Sequence, residues 1–137
     1  MFLRNYWYAA AWSNDIGREL FARTILGEPI VFYRSENGDP YALADRCPHR
    51  QAPLSLGKLV GDNVQCGYHG LCYDGTGTCV RIPGQNTIPP TARVKTYPVT
   101  DKWGWGWVWI WMGDAELADE ALITDYHWND DPDWTAI

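Results

Sequence analysis

No stretch of the 137 residues approaches the run of about eighteen apolar residues needed to cross a membrane as a helix, so no membrane partner is expected. Basic charge is scarce. Eleven Lys and Arg stand against 17 Asp and Glu, for a net charge of −6, and no basic stripe is present to meet phosphates. That argues against a nucleic-acid partner. Repeats, heptads and low-complexity tracts are missing. A secretory leader is not expected either. The Ala-rich run after Arg4 is short, crowded with Tyr and Trp, and flanked by Asn5 and Asn14, so a cytoplasmic location is expected. His is limited to three residues and Cys to four, which leaves metal chemistry few places to occur.

What is present is apolar and aromatic. The apolar share is 46%, with nine Trp and eight Tyr, which excludes disorder and suits one well-packed domain. Charge divides unevenly: residues up to 112 carry eleven basic and nine acidic side chains, whereas from Gly113 onward there are eight acidic and no basic ones. We therefore expect a domain over 1–112 followed by an acidic linker over 113–137.

Short β-branched and aromatic runs separated by turn signals predict a nearly all-β fold. Strands are expected over 20–26, ending at Glu28-Pro29, over 30–33, and over 41–44 after a turn at residues 35–40. Further strands are expected at 64–65, in a hairpin of 71–73 with 78–80, and over 94–99, with Pro98 placing the last near an edge. Trp103, Trp105, Trp107, Trp109 and Trp111 recur with period two and share one strand face. Five exposed Trp would form a costly patch, so this row is read as core and interface. Residues 114–123 are expected to form one short helix with Asp114 as N-cap.

The chemistry concentrates in two loops, Cys47-Pro48-His49-Arg50 and Cys66-Gly67-Tyr68-His69-Gly70. Each offers one thiol and one imidazole, and Pro48, Gly67 and Gly70 suit backbone bent closely around a ligand. Two Cys and two His satisfy a tetrahedral zinc, although zinc fingers usually pair Cys with Cys and His with His along the chain. The mixed order suits a two-iron cluster with both thiolates on one iron and both imidazoles on the other. The remaining thiols, Cys72 and Cys79, flank the turn at residues 74–77 and are read as small buried side chains that stay reduced.

These loops, extended by Ala52-Pro53-Leu54-Ser55 and Leu71, resemble the Rieske domain of ring-hydroxylating and O-demethylating oxygenases. Vanillate O-demethylase oxygenase components and related demethylating monooxygenases are most alike. The likeness continues in Asn5-Tyr6-Trp7-Tyr8, Ile30-Val31-Phe32-Tyr33-Arg34, Pro83-Gly84-Gln85 and Trp107-Val108-Trp109. It implies a β-sandwich with a smaller cluster-binding subdomain made by the two loops. It also implies a [2Fe-2S] cluster whose ferric iron is held by Cys47 and Cys66 and whose reducible iron is held by His49 and His69. Electrons would arrive from a flavin and iron–sulfur reductase. They would leave for a mononuclear Fe(II) in the catalytic domain, often that of a neighbouring subunit in a ring-shaped trimer, where O2 is activated against a methoxy or ring carbon.

In respiratory Rieske proteins a disulfide joins the loops, where this chain has Ala52 and Tyr68, and a Ser stands where it has Leu71. Both departures favour the oxygenase or ferredoxin class. His127, near Asp125, Asp130 and Asp131, lacks the second free His that a 2-His-1-carboxylate iron requires, so no catalytic residue is expected here. The alternatives are a free-standing Rieske ferredoxin and a zinc-stabilised binding module.

Overall fold

The structure is a computed structural model that describes residues 3–48, 51–101 and 106–123. Among these the chain forms ten short strands. They are β1 (Tyr6–Trp12), β2 (Phe21–Ile25), β3 (Glu28–Arg34), β4 (Pro40–Ala44), β5 (Lys58–Val60), β6 (Asn63–Gln65), β7 (Cys72–Tyr73), β8 (Cys79–Arg81), β9 (Val99–Thr100) and β10 (Trp107–Met112). Three antiparallel sheets result, in the orders β1-β10-β9, β2-β3-β4 and β5-β6-β7-β8. No helix among the described residues is long and apolar enough to cross a membrane.

The middle sheet organises the other two. Side chains alternate across a strand, so the continuous apolar run of β3 must find cover on both faces. Ile30 and Phe32 join Ala10, Val108, Ile110 and Met112 in one core, while Val31 and Tyr33 join Leu43, Leu54, Val64 and Tyr73 in the other. The first core is a two-sheet sandwich. The second fastens the four-stranded sheet, with both Cys/His loops, onto the back of β3. This is the expected all-β sandwich with a smaller subdomain.

Four expectations need adjustment. Pro29 does not break a strand, because the turn falls at Leu26 and Gly27, both at positive φ (50° and 78°), and β3 begins at Glu28. Pro29 lies at the start of β3, beyond the residues that pair with β4, where its missing N–H disrupts no ladder. The strand expected over 94–99 is reduced to β9. Residues 93–97 instead make single bridges, Thr78 with Arg93 and Leu43 with Thr96, and so tie the four-stranded sheet to the middle one. The short helix over 114–123 takes the form of two 3-10 turns, Ala115–Leu117 and Glu120–Leu122, with Asp114 capping the first as expected and Asp119 the second.

The Trp row is the fourth. Trp109 and Trp111 are 7% and 1% exposed, and Trp107 is half-buried. The indole N–H of Trp111 donates to Asp114 O at 2.8 Å or less (2.7 Å), and that of Trp7, edge-on to Trp111, donates to Asp119 O at 2.8 Å. The residues after β10 thus fold back beside this face, and the described part of the row is core more than interface. Trp103 and Trp105 lie outside the described residues, as do His127 and all of 124–137.

Candidate metal centre

Each Cys sits where a strand of the inner core runs out into a loop. After β4 the chain bends through Asp45 and Arg46 to Cys47, and Asp45 closes the loop's base by accepting from Ser55 N (2.7 Å) and Ser55 Oγ (2.6 Å). Cys47 N–H donates to Ala52 O at 2.8 Å, and Gln51 N–H donates back to Cys47 O at 2.7 Å. The second loop repeats this: Cys66 N–H donates to Leu71 O (2.8 Å) and Gly70 N–H to Cys66 O (3.0 Å).

The second loop is also pressed onto the 3-10 turn Leu54–Leu56. A Cβ on Gly57 would come within 1.9 Å of Gln65 O, and one on Gly67 within 3.1 Å of Leu56 O. Only glycine fits so close a backbone approach at Gly57.

Cys47 and Cys66 are 1% and 2% exposed, and the two thiols are neighbours that act on each other electrostatically. Burial pushes the Cys66 thiol up and the adjacent Cys47 thiol adds to this, while the backbone N–H groups of Tyr68 and His69 aimed at its sulfur pull it down. Two buried neighbouring sulfurs, one of them already provided with N–H donors, form a donor pair suited to a bound cation. The residues present therefore fit an iron–sulfur group.

His69 is exposed, packs against the Tyr68 ring with centroids 4.1 Å apart, and lines a cavity of about 540 Å3 with Pro48, Leu71, Tyr73 and Pro83. Among the described residues no three His, Cys, Asp or Glu side chains gather tightly enough to hold a single ion. The structure buries the two thiols as neighbours and leaves His69 exposed; His49 lies outside the described residues. Cys72 and Cys79 are buried free thiols of the β7–β8 hairpin, but Cys79 opposes Tyr73 and Cys72 opposes Arg81 rather than each other.

One contact was not anticipated from the sequence. The Tyr73 hydroxyl lies 3.4 Å from Cys47 Sγ, and burial followed by the Cys47 sulfur holds its phenol far above the ordinary tyrosine range. Tyr73 thus keeps its proton and can donate it to a thiolate. The available signal was a Tyr on the core-facing side of a strand, since a buried Tyr hydroxyl needs a partner.

Residues 6–98 match the Rieske [2Fe-2S] domain family. The chain belongs to that family. A Rieske domain carries a [2Fe-2S] cluster held by two Cys and two His. The chain is 50% identical over 135 residues to the toluene-4-sulfonate monooxygenase system iron-sulfur subunit TsaM1 of Comamonas testosteroni, covering 98% of this chain and 38% of that protein. It is 42% identical over 134 residues to the vanillate O-demethylase oxygenase subunit of a Pseudomonas species, covering 98% and 37%. The crystal structure of apo dicamba monooxygenase superposes with a TM-score of 0.91 at 44% identity, covering 96% of this chain and 40% of that one. This Rieske domain thus spans well under half the length of these monooxygenase and demethylase components.

Proposed function

We propose that this chain is the electron-relay domain of an aromatic-compound monooxygenase or O-demethylase oxygenase component. The observation that carries this reading is the pair of buried sulfurs of Cys47 and Cys66, in loops closed by matching backbone hydrogen bonds, with His69 exposed at the surface. One zinc would draw all its ligands to about 2.0–2.3 Å from a single point. Buried thiols with an exposed imidazole suit two metal centres.

In this reading Cys47 and Cys66 hold one iron, and His49 and His69 hold the other. The cluster supplies reversible one-electron storage. The chain's own residues keep water from the sulfurs, direct the Tyr68 and His69 N–H groups and the Tyr73 hydroxyl at them, and present the outer edge of His69 to solvent. A flavin and iron–sulfur reductase would be the donor. The acceptor would be a mononuclear Fe(II) in a catalytic domain, of the same polypeptide or of a neighbouring subunit. Such a site needs two His and a carboxylate; once His49 and His69 are used only His127 remains. The division into 1–112 and an acidic 113–137 belongs to the same proposal. The sizes of the monooxygenase relatives favour it over a free-standing ferredoxin.

The test is elemental and spectroscopic. The purified chain should hold two irons and two acid-labile sulfides, be reddish-brown, accept one electron from a reductase, and release no formaldehyde from vanillate-like methoxyaromatics. A version extended past Ile137 along its coding sequence should release it. One zinc without sulfide, or formaldehyde from the 137-residue chain, would overturn the proposal.

A further inference from the structure

Charge in this chain is segregated by subdomain. Residues 46–93, which contain both Cys/His loops, carry Arg46, Arg50, Lys58, Arg81 and Arg93 against only Asp62 and Asp74, a net +3 inside a chain of −6. Both carboxylates are already engaged: Asp62 pairs with Arg18 at 3.2 Å, and Asp74 accepts from Thr76 and Thr78 of its own turn. Among the described residues no carboxylate forms an ion pair with Arg46, Lys58, Arg81 or Arg93.

The sheet register places two of these cations. Lys58 opposes Gln65, Gln65 opposes Cys72, and Cys72 opposes Arg81, so the four form one row across β5, β6, β7 and β8. Opposed residues of an antiparallel sheet share a face. The neighbouring row of Leu59, Val64, Tyr73 and Cys79 packs into the core, so the Lys58–Arg81 row lies on the outer face. Cys72 in its middle is covered, whereas Lys58 and Arg81 at its ends are exposed, roughly 14 Å apart at three strand spacings.

This row borders the second loop directly, because Gln65 precedes Cys66 and Cys72 follows Leu71. Leu56 and Tyr68, 77% and 59% exposed, bring large apolar surface to the same loop. Leu56, Lys58 and Gln65 line one groove with Cys66, Gly67 and Gly70. Separated cations on the sheet that carries the redox loop, with exposed apolar side chains on and beside that loop, complement an acidic protein surface.

We propose that this face docks an acidic electron-donor protein, seated on Leu56 and Tyr68 and steered by Lys58 and Arg81. The inference rests on the electron-relay reading and adds the donor's charge and its place of contact. One electron leaves the reduced iron–sulfur centre of the donor, which is oxidised, and enters the group held by the Cys/His loops; no atoms are exchanged.

The experiment is stopped-flow reduction of the holo chain by a photoreduced plant-type [2Fe-2S] ferredoxin. This probe is acidic and, at about −400 mV, a competent reductant for a Rieske centre. Photoreduced deazaflavin serves as an uncharged control. Iron, sulfide and the EPR spectrum are measured first; their absence would defeat the electron-relay reading, independently of docking. The second-order rate with ferredoxin should fall at least about fivefold between ionic strengths of about 0.01 and 0.3 M. The double variant Lys58→Glu, Arg81→Glu should lose at least about tenfold at low salt, with deazaflavin reduction unchanged. Lys58→Gln, Arg81→Gln should fall between, and decides the matter should the reversal disturb the cluster. A rate indifferent to salt or to these substitutions, or no reduction by ferredoxin where deazaflavin succeeds, would overturn the proposal. So would a salt-sensitive dimer abolished by the same variants, since the face would then receive the acidic residues of a second copy.

Discussion

Gln51 and Gly70 hold the same place in two different loops. Each is the fourth residue after a Cys, each donates its N–H to that Cys carbonyl, and each has positive φ, 59° and 76°. The same closing hydrogen bond at positive φ is thus used twice, with glycine in only one copy. A side chain in the left-handed region costs roughly 1–2 kcal/mol. Gly70→Ala also sets a Cβ 3.2 Å from Pro83 Cγ and 3.3 Å from Gln65 Nε2. It should lower the thermal midpoint and loosen cluster retention, followed by visible absorbance. Gln51→Gly removes the strain and should be at least as stable as the parent. A Gly70→Ala chain that melts with the parent would show that the second loop does not need this turn.

The four Cys divide into two pairs with different expected phenotypes. Cys47→Ser or His69→Ala should bleach the cluster and abolish its reduced EPR signal. Cys72→Ser and Cys79→Ser should keep the colour. Among the described residues their sulfurs donate to the backbone oxygens of Gly70 and Arg81, each at 3.5 Å. Their cost is confined to stability, about 1–3 kcal/mol for a hydroxyl placed in a buried site. Bleaching by either would reassign the ligands.

Glu28 couples the N-terminal segment to the bridging residues 93–97. Its carboxylate accepts from Arg4, from Lys95 Nζ at 3.3 Å and from Tyr97 Oη at 2.8 Å. Burial acts to raise this carboxyl, but the hydrogen bonds from Arg4, Tyr97 and Lys95 together outweigh it and hold it below the ordinary 4.5. A carboxyl depressed in the folded state contributes stability that is present above its unfolded value and is lost as pH falls through its folded value. Thermal midpoints should therefore drop as pH falls below about 4.5, and Glu28→Gln should flatten that part of the profile. Parallel profiles for parent and variant would remove Glu28 from the account.

Much of this arrangement was legible in the residues themselves. Cys47, Cys66 and the glycines around them marked the loops because metal-ligand spacing is local, and the all-β class followed from short runs and turns. Harder to read was anything set by distant chain. Leu26 gives no turn signal, yet it sits at positive φ because the β2–β3 hairpin needs that twist. Residues 94–99 look like a strand but are divided between two sheets, and Pro98 offers no N–H for a continuous ladder. The period-two Trp row was plain, but its cover by residues 114–123 is tertiary. Tyr73 alternates correctly for the core, and only the folded structure puts its hydroxyl beside Cys47.

That hydroxyl gives the final prediction, which concerns redox potential. Rieske centres span roughly −150 to +300 mV. Leu71 offers no hydroxyl, and no disulfide joins the loops, so this chain is expected in the lower part of that range. Among the described residues Tyr73 supplies a side-chain donor, 3.4 Å from Cys47 Sγ. Reduction adds negative charge to the sulfurs, so a donor stabilises the reduced form more than the oxidised one. A net hydrogen bond of about 1 kcal/mol corresponds to roughly 40 mV for a one-electron couple. Tyr73→Phe, which keeps the ring and its packing, should therefore lower the midpoint in protein-film voltammetry by about that amount and leave iron and sulfide content unchanged. Leu71→Ser should move it upward if the new hydroxyl reaches a cluster sulfur. A Tyr73→Phe midpoint equal to or above the parent's would mean that the hydroxyl does not donate to Cys47 in the loaded protein.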